Sequence, residues 1–523
     1  TIYAGSGNAP GNGGNVTVNA NAAILVEGQG SVGIVALSAG GSASDDVSGT
    51  VTVNVSGAIE ATGQDGRGIL ASSDAQIGQS SGNVLINVNE GASVLTGASG
   101  GEAIYVLDGG GSSVITNSGT IGTQNAASYA LRVAASNPFL IDNYGTATGS
   151  ILTEAKTDGG AVGSFTFNNY GLMNSGTAVT IGGVNSSFWS GGTIAPGGAA
   201  AIATTTISSG FEIELYGTST YMADFDPSRP LGNTVVASDL MSLVAGTFDG
   251  TGLVAVAGTI SPNLILSQPG SAQRTGTAYI LNSNYAFDTS LLTVADTATV
   301  DYSLSTSDAV TADTTTLVLS YAIDTTPWDD PSGGNADVGA WNGVNANHRS
   351  FGAYLDKIIF DAPSGADGAF VTSLAEQVLN LTGKDDLMGT YDGFIADQAF
   401  AVPDATMISS LSFSDELHSC ARRTDAGSFD FGQEGQCSWV RLYGRDLERN
   451  PHGSGPNYSE TVTGLSMGAQ FELSADTWLG LAADYESGVL SFDQGSGTVS
   501  RTMAGAVLKQ DLGGLMLAAS IEG

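Results

Sequence analysis

A repeat in the first hundred residues constrains the fold more than any other feature of the sequence. Three short strand-like segments recur in the same order, with a period of roughly 33 to 35 residues. The first segment occurs as GNVTVN, GTVTVN and GNVLIN at 14–19, 49–54 and 82–87. The second occurs at 23–25, 58–60 and 92–94, and the third at 33–36, 68–71 and 103–106. Such a unit cannot bury its apolar side chains alone, so it predicts stacked coils of a right-handed parallel β-helix; a Gly-rich β-sandwich is the alternative.

Composition supports short strands joined by tight turns along most of the chain. The 523 residues include 74 Gly and only 13% charged residues. Beyond the regular repeat, Asn and Gly mark turns, because both residues tolerate the left-handed backbone that tight corners require. These turns are expected at 117–121, 143–145, 169–171 and 174–177. The chain is therefore predicted to be mostly β, with a β-helix over 1–200.

The segment SFWSGGTIAPGG at 187–198 introduces a family resemblance. It is similar to an element near the end of autotransporter passengers, and strand-like segments continue in the family's order to about residue 325. The resemblance implies that 201–326 is the C-terminal passenger cap, an autochaperone-like region. It also implies type V secretion by a Gram-negative bacterium, with the passenger at the cell surface and the C-terminal part in the outer membrane.

Residues 327–435 are predicted to be a linker with short helices. Phe351, Leu355 and Ile358 have helical spacing, as do Leu374 and Val378 in a segment resembling the helices before the family's barrel. A last helix is predicted over 403–421, with Pro403 in its first turn and Arg422 and Arg423 at its C-terminal end. Its length, about 25 Å, is close to the hydrocarbon thickness of a bilayer. In the family such a helix threads the barrel lumen; an ordinary connecting helix is the alternative.

From residue 436 the pattern becomes an alternation of apolar and polar residues, seen over 438–445, 464–473 and 478–485. Transmembrane β-strands alternate in this way, and so do strands of soluble antiparallel sheets. The segment CSWVR and the run 463–471 resemble the opening strands of autotransporter barrels, which favours the membrane. Residues 436–523 are thus predicted to be about 5 of the family's roughly 12 barrel strands. The polar residues expected to face the lumen are Arg441, Arg445, Gln470, Glu472 and Asp484.

Charge and cysteine content narrow the partners and the compartment. The net charge of −36 repels phosphate backbones, so we expect no nucleic-acid partner. Cys420 and Cys437 are the two cysteines of the chain. They are predicted to form a disulfide in an oxidising periplasm, and two unrelated thiols are the alternative.

The predicted passenger lacks the usual catalytic groups. His348, His418 and His452 all follow it, so it has no His to serve a Ser-His-Asp arrangement. A single segment at 40–45 faintly resembles a Ca²⁺-binding repeat that requires tandem copies. Carboxylate pairs that could act on glycans are each interpreted as solvated turns or strand faces: Asp45 with Asp46, Glu212 with Glu214, and Asp224 with Asp226. We therefore expect no enzyme, no cofactor and no metal.

The sequence thus favours an autotransporter whose passenger is an adhesin-like binding surface. One alternative is a stalk for an enzymatic domain upstream of Thr1; another is a freely secreted β-helix enzyme acting on polysaccharide. Partners implied by the family are outer-membrane lipid, the barrel assembly machinery and periplasmic chaperones, with an unknown host or cell-surface ligand. The sequence contains no stretch of about 18 apolar residues, so no transmembrane helix is predicted. Thr1 opens no signal peptide and Gly523 falls within a strand pattern, so both ends are expected to be cut.

Overall fold

A computed structural model describes most of the chain. The described residues are 2–5, 11–40, 46–74, 81–97, 99–107, 109–110, 112–124, 128–156, 163–232, 234–247, 252–268, 270–307, 315–326, 344, 346–361, 368–394, 397–418, 421–424, 428–449, 458–492, 495–513 and 515–523. They fall into two compact units: the first comprises Thr1–Pro327 with Asp356–Thr382, and the second Trp328–Leu355 with Gly383–Gly523.

Among the described residues, the first unit begins with thirty β-strands and one short 3₁₀-helix. Strands β1 to β10 are Ile2–Gly5, Val16–Ala20, Ile24–Val26, Val32–Ala39, Val51–Val55, Ala58–Ala61, Arg67–Asp74, Val84–Val88, Ser93–Thr96 and Glu102–Leu107. Strands β11 to β20 are Ser113–Asn117, Thr120–Thr123, Tyr129–Ala135, Phe139–Asn143, Thr146–Ala155, Phe165–Asn169, Leu172–Ile181, Ser187–Ser190, Thr193–Pro196 and Thr204–Ser209. Strands β21 to β30 are Glu212–Leu215, Thr220–Pro230, Val236–Ser238, Leu240–Ala245, Leu253–Val256, Gly258–Leu264, Thr275–Ser283, Leu292–Val294, Val300–Ser307 and Thr315–Ile323, with the 3₁₀-helix at Thr289–Leu291.

Most of these strands stack in parallel, each on its equivalent one coil away. One sheet has nine strands in the order β2-β5-β8-β11-β14-β16-β18-β21-β25, and a second has 21 strands. The predicted repeat sets the register: Val16 pairs with Val51 and Val51 with Val84, while Ile34 pairs with Ile69. The mostly β, parallel β-helical architecture predicted from the repeat is confirmed.

The interior of the coils is a column of stacked apolar side chains. Ile34, Ile69 and Ile104 follow one another on adjacent coils, and none exposes any surface. Farther along, the column becomes aromatic: the rings of Phe167 and Phe188 stack with their centroids 5.5 Å apart. Each coil thus covers the apolar edge of its neighbour, which is why the stack is stable where one coil would not be.

Two asparagine ladders connect successive coils. On the outer face, Asn54 Nδ2 donates to Asn19 Oδ1 and Asn87 Nδ2 to Asn54 Oδ1, both at 2.8 Å, over sequence separations of 35 and 33 residues. The second ladder is buried at the turns of later coils, whose separation shortens to 26 residues: Asn117 donates to Asn143 at 2.7 Å, and Asn143 to Asn169 at 2.8 Å. Each member also donates to the backbone carbonyl three residues after its equivalent on the next coil, namely Thr146, Leu172 and Thr193. The Asn-x-Gly signature therefore marks a polar column inside the turn as well as its corner.

The end of the first unit changes from parallel to antiparallel pairing. Strand β30 pairs antiparallel with both β27 and β29. Phe225 packs there against Tyr321, with ring centroids 5.1 Å apart, and against Tyr302.

Two helices contribute to this unit, α1 (Ala346–Asp361) in its second half and α2 (Gly368–Leu379). Asn380 exchanges two hydrogen bonds with the backbone of Leu264, at 2.8 and 2.9 Å, and Glu376 accepts from the Leu266 N–H at 2.7 Å. These side chains replace a partner strand, so the predicted linker 327–435 is divided. Residues 356–382 belong with the coils, whereas 327–343 lie outside the described residues.

The second unit contains α3 (Lys384–Phe394), α4 (Asp397–Leu417) and the remaining strands. Strands β31 (Ala421–Thr424) and β32 (Ser428–Glu434) form a hairpin. A five-stranded antiparallel sheet follows, in the order β33-β34-β35-β36-β37. Its strands are Cys437–Arg449, Tyr458–Ser474, Thr477–Phe492, Gly495–Asp511 and Met516–Glu522. The predicted short helices followed by part of an antiparallel barrel are confirmed.

The last helix differs from its prediction at both ends. It begins at Asp397, so Pro403 lies inside it, and it ends at Leu417. Proline here removes one backbone donor, and the helix continues because tertiary packing outweighs that loss. Arg422 and Arg423 lie in β31 rather than at the helix terminus, so their predicted placement is wrong. The 21 residues of α4 extend over roughly 31 Å.

Candidate functional site

The helix α4 packs on one face of the five-stranded sheet through side chains four residues apart. Ala401 and Ala405 pack with Tyr458 and Leu490 toward the N-terminal end of the helix. Phe413 and Leu417 pack with Ala482, Met503 and Val507 toward the other end. Because positions i and i+4 lie on the same helix face, this spacing forms one stripe along α4. Its small members allow the helix backbone to approach the sheet closely.

Between the two apolar contacts lies a network of buried charges, here called the lumen cluster: Ser409, Arg445, Glu460, Glu486 and Arg501. Arg501 bridges both carboxylates, since Nη2 lies 2.6 Å from Glu460 Oε1 and Nη1 lies 2.6 Å from Glu486 Oε1. Arg445 Nη2 lies 3.0 Å from Glu460 Oε2 and 3.5 Å from Glu486 Oε2. Each cation thus has two anions, and each anion two cations. The two glutamates are almost completely buried.

Ser409 joins this cluster to the helix. Its Oγ lies 2.6 Å from Glu486 Oε1 and accepts a hydrogen bond from Arg445 Nη2 at 2.6 Å. The cluster contains two positive and two negative side chains, so it carries no net charge. Charges removed from water require partners of opposite charge, and each of these four charges has two such partners around a single serine.

Further polar contacts fix the helix at both ends. Asp404 pairs with Arg449 and accepts a hydrogen bond from the Tyr458 hydroxyl at 2.7 Å. At the C-terminal end, Lys509 Nζ donates to the His418 carbonyl at 2.9 Å. A cation at the carbonyl end of a helix stabilises its dipole, so Lys509 on the sheet has the role predicted for Arg422 and Arg423.

Glycines on the helix-facing side of the sheet make room for large side chains of the neighbouring strand. A β-carbon at Gly464 would lie 2.3 Å from the Tyr443 ring, and one at Gly468 would lie 2.2 Å from the Trp439 ring. Both rings therefore lie flat over the backbone of the next strand. This keeps the face shallow enough to accept a helix.

The predicted lumen residues all have the parity of the helix-facing side, but they differ in environment. Arg445, Gln470 and Asp484 are enclosed; Gln470 donates to the Gly435 carbonyl at 2.8 Å, and Asp484 accepts from the Tyr443 hydroxyl at 2.8 Å. Arg441 lies farther out, with its side chain 62% exposed, and contacts Glu416 of α4 at 2.9 Å. Glu472 is exposed near the end of its strand.

Sequence reasoning did not single out Glu460, Glu486 or Arg501, which complete the lumen cluster. They continue the same alternation, but the predicted strands were about 10 residues long, whereas β34 and β36 have 17 residues each. Extending the alternation beyond 464 and 485 would have found them. Ser409 has no such signal, because nothing in an isolated helix marks which serine meets a charge.

The opposite face of the sheet is apolar and exposed. On β33, Val440 is 72% and Leu442 82% exposed. Other large apolar side chains on this face of the sheet are also exposed: Met467, Phe471, Leu481, Tyr485, Val489, Leu508, Leu517 and Ile521. A soluble protein rarely exposes so large a continuous apolar surface. A sheet that faces lipid has this polarity, with charged side chains on the enclosed face and apolar side chains on the outer face.

One of the two cysteines lies at the start of this sheet. Cys437 begins β33 and is disulfide-bonded. Cys420 lies outside the described residues, so the predicted Cys420–Cys437 pairing stays a prediction.

The carboxylate pairs weighed as catalytic candidates have different surroundings. Asp224 and Asp226 are buried, so their interpretation as a solvated turn or strand face is wrong. Asp224 accepts from the Ala201 N–H and from Asn263, and Asp226 accepts from Ser228 and Ser267. Glu212 accepts from Trp189 Nε1 at 2.9 Å. Asp45 lies outside the described residues.

A buried carboxyl that the sequence did not reveal lies next to Asp224. Asp239 accepts hydrogen bonds from the Ala203 N–H at 2.7 Å and the Asp224 N–H at 3.0 Å. Desolvation by burial raises the pKa of Asp239 to about 7, against the opposing effect of those N–H donors. Desolvation also raises the pKa of Asp224.

Within the described residues, no group of three or more His, Cys, Asp or Glu side chains is placed to hold a metal ion. None of the described helices combines the length and apolar character required to cross a membrane.

Comparison with known families identifies the C-terminal sheet. Residues 438–523 match the family model of the autotransporter beta-domain. The sheet thus matches the autotransporter beta-domain, the family that its opening strands resemble. No curated protein and no solved structure matches the chain.

Proposed function

We propose that the second unit supports secretion of residues 1–326 across the outer membrane, and that these coils form a non-enzymatic, adhesin-like binding surface outside the cell. The observation that carries the proposal is the inverted polarity of the five-stranded sheet: its apolar face is exposed and its charged face closes around α4. A polar passage is where a hydrophilic chain can cross a bilayer, and a helix there connects the passenger to its anchor. The barrel assembly machinery and periplasmic chaperones are proposed partners in this insertion.

A binding role for the passenger is favoured by what its side chains do. The carboxylate oxygens of Asp224 and Asp226 accept hydrogen bonds from within the fold. This favours a structural role for both residues rather than a catalytic one. The sequence has no His before His348 and no Cys before Cys420, so the coils lack the usual proton shuttle and thiol nucleophile. A long stack of coils also offers an extended surface on which a partner can bind.

Protease treatment of intact cells tests this topology. We expect externally added proteinase K to remove the coils from cells expressing the whole gene, while the strands of the second unit stay protected in the membrane fraction. Adhesion of these cells to immobilised matrix proteins and to a second bacterial population then tests the binding role. Recovery of the intact product in the aqueous fraction would contradict membrane insertion and favour the freely secreted enzyme.

A further inference from the structure

A column of tyrosines lies at the turns that directly follow the strands of the nine-stranded sheet. Tyr144, Tyr170, Gly191 and Tyr216 occupy equivalent positions on four successive coils. The backbone N–H of each donates to a carbonyl one coil earlier, at 2.7 or 2.8 Å. Three of the four coils therefore present a phenol ring at the same corner, and the fourth presents none.

Two of the rings are exposed and stack on each other, and the third, Tyr216, is half-buried. Tyr144 is 54% and Tyr170 49% exposed, with ring centroids 5.1 Å apart and ring planes 15° from parallel. A β-carbon at Gly191 would lie 4.0 Å from a ring carbon of Tyr170 and 3.7 Å from one of Tyr216. Gly191 thus marks a missing layer between two rings, whose backbones are two strand spacings, or roughly 10 Å, apart.

The surroundings of this column are acidic. The described strands of the nine-stranded sheet contain Asp142, Glu212 and Glu214 and no Lys or Arg. Burial together with the nearby Asp142 carboxylate raises the pKa of Tyr144, and burial together with the nearby Glu214 carboxylate raises the pKa of Tyr216. Between Arg132 and Arg229 the sequence has a single basic residue, Lys156, which pairs with Asp74 at 2.9 Å.

Aromatic faces next to carboxylates attract cations, and planar cations most of all. A guanidinium stacks on tyrosine rings and pairs with carboxylates through its planar set of donors, whereas an ammonium does only the second well. Stacking alone would stabilise the coils equally well with a fourth ring, yet the column is interrupted at Gly191. This glycine lies outside the left-handed region of φ, so its backbone does not require glycine.

We propose that this tyrosine strip, defined as Tyr144, Tyr170 and Tyr216 with Asp142 and Glu214, is a docking surface for an arginine-bearing segment of a partner protein. One guanidinium enters at Gly191, between the rings of Tyr170 and Tyr216, and Glu214 neutralises it. This assignment rests on the proposed binding role of the passenger and specifies the chemistry of its ligand.

The probe is a fluorescein-labelled octa-arginine peptide, titrated with the full chain in detergent micelles and followed by fluorescence anisotropy; octa-lysine is the comparison peptide. Gly191→Tyr fills the missing layer and Tyr170→Leu removes one wall, so each should weaken octa-arginine binding by about fivefold or more. Glu214→Gln should weaken it by roughly threefold. The matched control Glu90→Gln removes an exposed carboxylate from another turn and should change affinity by less than about twofold.

The variant Gly191→Ala tests whether a change at this position disturbs the fold without filling the missing layer between Tyr170 and Tyr216. Its β-carbon requires only a small movement of the Thr218 hydroxyl, so binding should stay near that of the unmodified chain. Equal affinity for octa-arginine in all variants, or equal affinity for octa-arginine and octa-lysine, would overturn the assignment in favour of general charge attraction. Displacement of the peptide by neutral cellohexaose would overturn it in favour of a glycan.

Adhesion of cells displaying the passenger separates this assignment from the proposed function. Cells carrying Gly191→Tyr that adhere as well as unmodified cells would refute the strip while leaving the adhesin-like role intact. Cells that display the unmodified passenger and adhere to nothing tested would count against the proposed function itself.

Discussion

The nine-stranded sheet of the coils and the five-stranded C-terminal sheet use the same two-residue alternation with opposite polarity. In the coils, Ile86 and Ile115 point inward and expose no surface, while asparagines such as Asn54 form the outer row. In the C-terminal sheet the enclosed face holds Glu460 and Glu486, and the exposed face is apolar. Alternation alone therefore predicts that a strand has two different faces. The medium around the sheet decides which of the two faces is buried.

The two regions also satisfy their buried polar groups differently. At successive turns the coils use neutral amides, each donating to the next, so this ladder can be extended by one coil without a change of charge. The C-terminal sheet uses a closed set of two arginines and two glutamates around Ser409. A closed ionic set specifies one position of the helix, because any shift would leave a charge unpaired in a site shielded from water.

The largest expected effect is the loss of one arginine from the lumen cluster. Arg501→Ala leaves Glu460 and Glu486 with fewer cations, and we expect the free energy of unfolding to fall by about 3–5 kcal/mol. Arg441→Ala is the control, since its side chain is largely exposed, and should cost less than about 1 kcal/mol. Urea unfolding in lipid vesicles measures both. Equal losses would show that the cluster is not the electrostatic centre of the sheet.

The next effect concerns pH and belongs to the coils. The folded pKa of Asp239, about 7, lies above the ordinary value for an aspartate, so the folded state binds the proton more tightly than the unfolded state. The stabilisation from protonated Asp239 is complete below about pH 4 and is lost as the pH rises to about 7, by at most about 4 kcal/mol. Asp239→Asn should remove this slope from the free energy of unfolding measured between pH 4 and 8. A slope unchanged in the variant would assign the effect to other carboxyls.

Replacing an exposed leucine by arginine should have a large effect in one region and almost none in the other. Leu481 on the C-terminal sheet is 46% exposed and Leu25 on the coils 58%. Leu481→Arg places a charge on the face proposed to contact lipid and should reduce the free energy of unfolding in vesicles by roughly 2–4 kcal/mol. Leu25→Arg contacts water and should change it by less than about 0.5 kcal/mol. If Leu481→Arg were as mild as Leu25→Arg, that face would not contact lipid.

The smallest expected difference separates the two asparagine ladders. Asn143→Ala in the buried ladder removes three hydrogen bonds and leaves buried partners unsatisfied, so we expect a loss of about 1–3 kcal/mol. Asn54→Ala interrupts the outer ladder, where water can replace the lost partner, and should cost about 0.5 kcal/mol. Thermal unfolding followed by circular dichroism compares the two variants. A larger loss for Asn54→Ala would reverse the ranking of the ladders.

The alternation of apolar and polar residues predicted much of the C-terminal site. The residues that the prediction missed lie beyond the ends of the predicted strands, which were too short. The parity of Arg445 and Asp484 placed them on the correct face, but the predicted strands stopped before Glu460, Glu486 and Arg501. The ends of the last helix were predicted to within a few residues, but its predicted start was too late because Pro403 was assigned to the first turn. Pro403 is favoured at a first turn in isolation, and packing of Ala401 and Ala405 on the sheet extends the helix upstream of it.

The sequence by itself determined the repeat, the alternation and the Asn-Gly turns, because backbone geometry ties each of these to a fixed spacing along the chain. Tertiary structure alone decided which serine meets Glu486, that Lys509 approaches the end of α4, and that Asp239 lies beside Asp224. These contacts join residues far apart in sequence or at irregular turns, where no local period exists. Burial and charge pairing select them only once the strands and helix have come together.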